Sequence, residues 1–267
     1  MKRLIILFLF FFPFLVFTQE HKELSNDTIV DLLGYEDFMP TSTCGEIIHY
    51  RDYSVSFCEE YRLSEWSIYF KDINSKTGIY RNSRRGVNFI KDPKLKGREA
   101  GNGAYYNNPY DKGHLVPASD MTNNYESLKE TFFFTNCVPQ HKGLNRGVMK
   151  QLESKLRGWT QELGTVVIIT GWVVEDSLSY MWGEKKIENY NPGYPYIPIP
   201  NYYYKVFIDV KGNRSIAFLL PNKLSTGPLR DYIVSIDFLE SKTGLDFFNK
   251  LPEDIERSFE INSSDKN

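Results

Sequence analysis

The 267-residue chain is predicted to be an α+β protein, with a central and mainly antiparallel sheet flanked by helices. Three observations predict it. Aromatic and β-branched residues alternate with polar ones at the period of half-buried strands. One segment, Leu144 to Leu163, repeats its apolar residues at three to four positions, as a helix does. Strands and helices are interspersed without the regular βαβ alternation that builds a parallel sheet.

In chain order, Met1, Lys2 and Arg3 precede an apolar run from Leu4 to Phe17, broken by Pro13, and then Thr18. The run is shorter than the roughly 20 residues of a spanning helix, and its basic start and polar exit follow the export pattern. Residues 1–18 therefore read as a signal peptide. They predict a secreted or periplasmic protein with no stable membrane association after cleavage. Residues 19–43 read as a polar lead-in, 44–260 as a single domain and 261–267 as a polar tail. Within the domain, Ile47 to Phe57 and Trp66 to Phe70 read as two strands. Residues 71–110 are rich in Gly and Pro and read as loop. The helix from Leu144 to Leu163 is stopped by Gly164, and Thr165 to Val174 is strand-like. A Tyr-, Pro- and Asn-rich loop runs through residue 201. Tyr203 to Val210 and Ser215 to Leu220 then form a hairpin turned by Gly212 and Asn213. A last amphipathic stretch from Leu229 to about Glu240 ends at Gly244.

With 41% hydrophobic, 15% aromatic and 25% charged residues, the chain can build a core, which excludes disordered and collagen-like classes. The formal charge of −2 means that contact with a polyanion must use a local patch. Two segments offer one. Between Arg81 and Lys112 eight basic residues stand against three acids, and between Lys142 and Arg157 five stand against one. The bland reading of both is a solvated surface. The three cysteines make no C-x-x-C pair, so a thiolate zinc or redox site is not expected. Cys44 and Cys58 could close a short disulfide loop; the alternative is three unrelated buried thiols.

The segment Tyr110 to Asp120 presents His114, one of four histidines, between Asp111 and Lys112 on one side and Ser119 and Asp120 on the other. A lone loop histidine is more often structural than catalytic. Partners follow downstream at Asn136, Gln140, Asn145, Arg146 and Glu153. On a continuous helix Asn145, Met149 and Glu153 lie at i, i+4 and i+8 and share a face over roughly 12 Å. An ion on the Asn145 amide would then be reached by Glu153 through water, which suits Mg²⁺.

These residues resemble the DNA/RNA non-specific endonuclease family. Asp111-Lys112-Gly113-His114 resembles its D-R-G-H signature. The N-x-x-P-Q element at Asn136, Pro139 and Gln140, the L-N-R-G run from Leu144 to Gly147 and the pair Leu152-Glu153 follow at the family's spacing. Upstream, Arg85-Gly86-Val87-Asn88-Phe89 with Asp92-Pro93 is similar to a further family stretch, and the likeness covers about residues 46 to 260. It implies a ββα metal-finger site set into the sheet fold, with His114 as general base, Asn145 as Mg²⁺ ligand, Mn²⁺ as the substitute ion, and Glu153 acting through water. Arg85, with Arg84 as the rival register, is implied to neutralise the transition-state phosphate. Asp111, Lys112, Asn136, Gln140 and Arg146 are implied to bind or position substrate.

Two departures stand out, Lys112 for the usual Arg and Met149 for a frequent Trp. The implied activity is hydrolysis of DNA and RNA to 5′-phosphate ends, with DNA and RNA as partners and a homodimer as an open alternative. Two other readings are a nucleic-acid-binding protein that kept the fold without catalysis, and a phosphodiesterase for small phosphate esters.

Overall fold

The computed structural model describes residues 34–72, 78–84, 86–106, 108–175, 179–181 and 197–261; the expected signal segment and Arg85 lie outside them, as does the side chain of Arg84. Seven antiparallel strands form the main sheet. In chain order they are β1 (Glu46–His49), β2 (Ser54–Cys58), β3 (Leu63–Lys71), β6 (Val166–Val173), β9 (Tyr202–Asp209), β10 (Arg214–Pro221) and β11 (Ile233–Val234), and they lie side by side in that same order. Two further ribbons pair β4 (Tyr110–His114) with β5 (Cys137–His141), and β7 (Ser179–Tyr180) with β8 (Pro198–Ile199). The helices are α1 (Tyr125–Glu130), α2 (Met149–Leu163), α3 (Ile236–Thr243) and α4 (Glu253–Ile261). The fold is α+β, as the patterning predicts. No helix among the described residues is long and apolar enough to cross a membrane.

Both faces of the sheet are covered, because its central strands are buried at almost every position and alternate only in which core they enter. Tyr69, Ile168, Tyr203 and Phe207 point into one core with Leu152 and Leu156 of α2 and the β4–β5 ribbon. Trp66, Ile68, Val167, Tyr204, Val206 and Ile208 point into the other, against Ile236 and Leu239 of α3 and Ile255 and Phe259 of α4. The site is therefore carried on one face and braced by a second core behind it.

The structure redraws several boundaries. The single strand expected from Ile47 to Phe57 is two, because Tyr50 N–H donates to the Tyr53 carbonyl at 2.8 Å and turns the chain so that His49 faces Ser54. The turn keeps Tyr50 and Tyr53 buried and stacked, with centroids 4.4 Å apart, so the alternation runs through it unmarked. The helix expected from Leu144 is broken at Gly147, whose φ of −103° and ψ of −111° are not helical; the regular part begins at Met149. It stops at Gly164, where φ is +91°, a conformation that favours glycine. Packing begins ahead of the expected start at Cys44, since Phe38 and Met39 are buried in the second core. The polar stretch after Gly244 contains α4, whose Ile255 and Phe259 recur at four residues.

Candidate active site

The β4–β5 ribbon brings the Asp111–His114 strand against Cys137–His141, with His114 opposite Cys137 and Asp111 opposite Gln140. Gly113 makes room for this pairing, because a Cβ there would overlap the Gln140 side chain. Gln140 is buried over Gly113, and its amide atoms have no hydrogen-bond partner among the described residues. Asn136 is fully buried as well. It accepts from Val116 N–H at 2.9 Å and donates to the carbonyls of Val116 at 3.0 Å and Thr131 at 2.9 Å, which fixes the backbone two residues beyond His114. The His114 ring sits between Phe89 and Phe132, at centroid distances of 4.7 and 5.1 Å. Its plane is set by packing at the end of a strand.

Asn145 lies in the irregular turn before α2 and donates its Nδ2 to Asp111 Oδ2 at 3.0 Å. Arg146 grips the same carboxylate with two bonds, Nε to Oδ2 at 2.8 Å and Nη2 to Oδ1 at 2.7 Å. Burial alone would push the Asp111 carboxyl up, but the bonds from Arg146 and Asn145 outweigh it and hold it below the usual carboxylate range. With its nitrogen committed, Asn145 keeps its amide oxygen as an acceptor. His114, Asn145 and Glu153 line one cavity of about 320 Å³, with Ser119 and Phe132 completing its walls.

Glu153 projects from the second turn of α2. Burial pushes its carboxyl pKa up, and the Lys205 ammonium 4.0 Å away opposes the rise. Burial lowers the Lys205 pKa in turn, while Glu153 holds it up. The Lys205 Nζ donates to Thr170 Oγ1 at 2.7 Å and to the Leu115 carbonyl at 3.4 Å. Beside this pair, Asp120 accepts from Tyr69 Oη at 2.7 Å and faces Lys71 at 3.5 Å and Arg157 at 3.3 Å. The floor of the site is thus a buried ionic network whose lysines come from β3 and β9.

Of the residues singled out in the sequence, the structure joins His114, Asn145 and Glu153 at one cavity and stacks Asp111 and Arg146 behind Asn145. Asn136 and Gln140, expected to bind or position substrate, are both buried, and Asn136 holds the backbone just beyond His114. Lys112 donates to Asn102 Oδ1 at 2.8 Å and lies over the Phe89 ring. Met149 is buried beneath the helix start. Cys44 and Cys58 form a disulfide, and Cys137 is a buried thiol whose pKa burial pushes up to about 12. Sequence reasoning gave Lys71 and Lys205 no part in the site and counted Arg157 only within a basic segment. The signal for the lysines was a cation within an otherwise apolar strand, which demands a buried partner.

The sequence model of the DNA/RNA non-specific endonuclease family matches residues 34–254. The chain is 30% identical over 195 residues to "Nuclease 1, mitochondrial" of Schizosaccharomyces pombe, covering 68% of this chain and 59% of that protein. It is 27% identical over 217 residues to "Nuclease EXOG, mitochondrial" of Xenopus laevis, covering 78% and 60%. It thus spans about three-fifths of the length of these relatives. The fold is shared with a chain from the solved EndoG/EndoGI complex, with a TM-score of 0.69 at 20% identity, over 82% of this chain and 91% of that one. The expected secreted or periplasmic placement is contradicted by these relatives, which are named as mitochondrial nucleases.

Proposed function

Because the chain belongs to the DNA/RNA non-specific endonuclease family, we propose that it hydrolyses phosphodiester bonds of DNA and RNA in a divalent-metal-dependent reaction that leaves 5′-phosphate ends. The observation that supports this most is that two segments about 30 residues apart, the end of β4 and the start of α2 with the turn before it, bring His114, Asn145 and Glu153 to one cavity. The donor set suits a hard cation, since an amide oxygen freed by the Asp111 bond and a nearby carboxylate are the ligands Mg²⁺ takes while keeping waters. Asn145 would hold the ion, with Mn²⁺ able to replace Mg²⁺. When bound, the ion supplies positive charge at the scissile phosphate and the leaving 3′ oxygen.

The side chains do the rest. His114 takes a proton from the attacking water, a task that suits imidazole because the unperturbed group titrates at about 6.5, close to neutral pH. Phe89 and Phe132 hold the ring in one orientation. Glu153, whose charged form the Lys205 ammonium favours, accepts hydrogen bonds from water in the same cavity and so orients it. Arg85 supplies a further positive charge to the transition state, and Lys112 and Arg146 add cations at the rim. Contacts of this kind are made to phosphate and carry no base information, which accounts for cutting without sequence preference.

The test is cleavage of supercoiled plasmid and single-stranded RNA in Mg²⁺, beside EDTA and His114→Ala. Cutting of both polymers, abolished by EDTA and reduced about 10²- to 10⁴-fold by His114→Ala, is the expected result. A folded wild type that binds both polymers but cuts neither across metals and salts would show the reading wrong.

A further inference from the structure

A second cavity, of about 510 Å³, adjoins the catalytic one and shares Ser119 and Glu153 with it. Arg81, Lys150 and Arg157 line it, three cations against the single carboxylate. One wall is a face of α2, on which Lys150, Glu153 and Arg157 recur at i, i+3 and i+7. The facing wall is the turn at residues 78–81, tied down by Thr122. Gly78 N–H donates to Thr122 Oγ1 at 2.8 Å, Tyr80 N–H donates to the Thr122 carbonyl at 2.9 Å, and the Tyr80 ring rests against Tyr125.

The three cations differ in commitment. Arg157 is held by Asp120 and Ser119, at 3.3 and 3.2 Å. Arg81 and Lys150 are exposed and have no ion-pair partner among the described residues. Lys150 also stands in the first turn of α2, where the helix dipole disfavours a cation and an adjacent anion would offset the cost. A concave site that gathers like charges and leaves two of them unpaired is complementary to a phosphate.

We propose that this cavity is a subsite for the backbone phosphate adjoining the scissile one, with Arg81 and Lys150 as the residues that grip it. The inference rests on the nuclease reading and deepens it, because the shared wall ties the anion to the strand being cut. The site would then require a strand of at least two phosphates for full efficiency, which separates a polymer nuclease from an esterase of small diesters.

The test uses two trinucleotides. One has two ordinary phosphodiesters; in the other the linkage beside the cleavable one is a neutral methylphosphonate. For the wild type in Mg²⁺ we expect the neutral linkage to lower kcat/KM about 10-fold or more, chiefly through KM. The double variant Arg81→Ala/Lys150→Ala should cut both trinucleotides alike, near the wild-type rate on the neutral one. On long DNA its salt dependence should fall by about one phosphate contact. Equal wild-type rates on the two trinucleotides, as expected if the cavity serves a free phosphate, would overturn the subsite while leaving the nuclease standing. A penalty that persists undiminished in the folded double variant would overturn the assignment to Arg81 and Lys150. A wild type that cuts neither trinucleotide nor plasmid would remove the nuclease reading and this one with it.

Discussion

Asp111 lies behind Asn145 and ahead of Arg146, and its carboxylate decides which way the Asn145 amide faces. Such an orienting partner is expected to matter about as much as a ligand. Asp111→Ala should therefore raise the Mg²⁺ concentration for half-maximal cleavage about 10-fold with little change in the rate at saturating metal. A Mg²⁺ titration of activity checks it, and a loss of rate at saturation with unchanged metal dependence would contradict it. Lys205 acts on Glu153 in the same indirect way. Burial raises the Glu153 pKa and the ammonium restrains it. Removing the ammonium takes away the larger of the two opposing cations, Arg157 being the other, so the carboxyl protonates at higher pH. Lys205→Met should accordingly shift the acid limb of the pH–rate profile toward higher pH, read beside a thermal melt to separate stability from titration.

At the scale of elements, Glu65 on β3 anchors the segment before β1. Its carboxylate accepts from the backbone N–H groups of Thr43, Cys44 and Gly45 at 3.2, 3.2 and 3.1 Å, and from the hydroxyls of Ser42 and Ser56 at 2.7 and 2.8 Å. Burial pushes the Glu65 carboxyl up, but the bonds from Thr43, Ser42 and Ser56 outweigh it and the net pKa lies below the ordinary value. A lowered folded pKa adds stability above the unfolded pKa and loses it as pH falls through the folded one. Glu65→Gln should cost about 2 kcal/mol at neutral pH, a Tm lower by about 4–8 °C. The gap should be full above about pH 5 and close on acidification. Melts of both proteins from pH 7 to pH 3 test the sign. The same segment is stapled by the Cys44–Cys58 disulfide, whose loop of about 15 residues is worth roughly 3 kcal/mol in the chain-entropy estimate. Reduction should lower the Tm comparably.

Across the whole molecule, the sheet separates two cores, one beneath the site and one beneath α3 and α4. Strands β3, β6 and β9 have side chains in both, so loss of either core should unfold the chain as a unit. Phe259 of α4 is fully buried, on the face of the sheet opposite the cavity. Phe259→Ala is expected to cost about 3–5 kcal/mol through the cavity left behind, while the KM for oligonucleotide below the melt stays at the wild-type value. A marked change in KM without a change in Tm would contradict this division of labour.

What the sequence determines by itself follows from its local periods and from the identity of reactive residues. The β6, β9 and β10 strands, the hairpin at Gly212 and Asn213, the α2 helix with its Gly164 stop, and the set His114, Asn145 and Glu153 were all legible, because alternation, helical spacing and side-chain chemistry are written one residue at a time. The break at Gly147 was hidden, since apolar spacing continues across it. The turn at Tyr50–Tyr53 was hidden because its residues stay buried. Tertiary structure alone decided that Asn136 and Gln140 are buried. It alone decided that Lys71 and Lys205 cross from the sheet to meet Asp120 and Glu153, and that Arg81 and Lys150 face each other across one cavity. Each of these depends on which distant segments come together, and no local pattern carries the sign or the partner of a charge some 50 to 70 residues away.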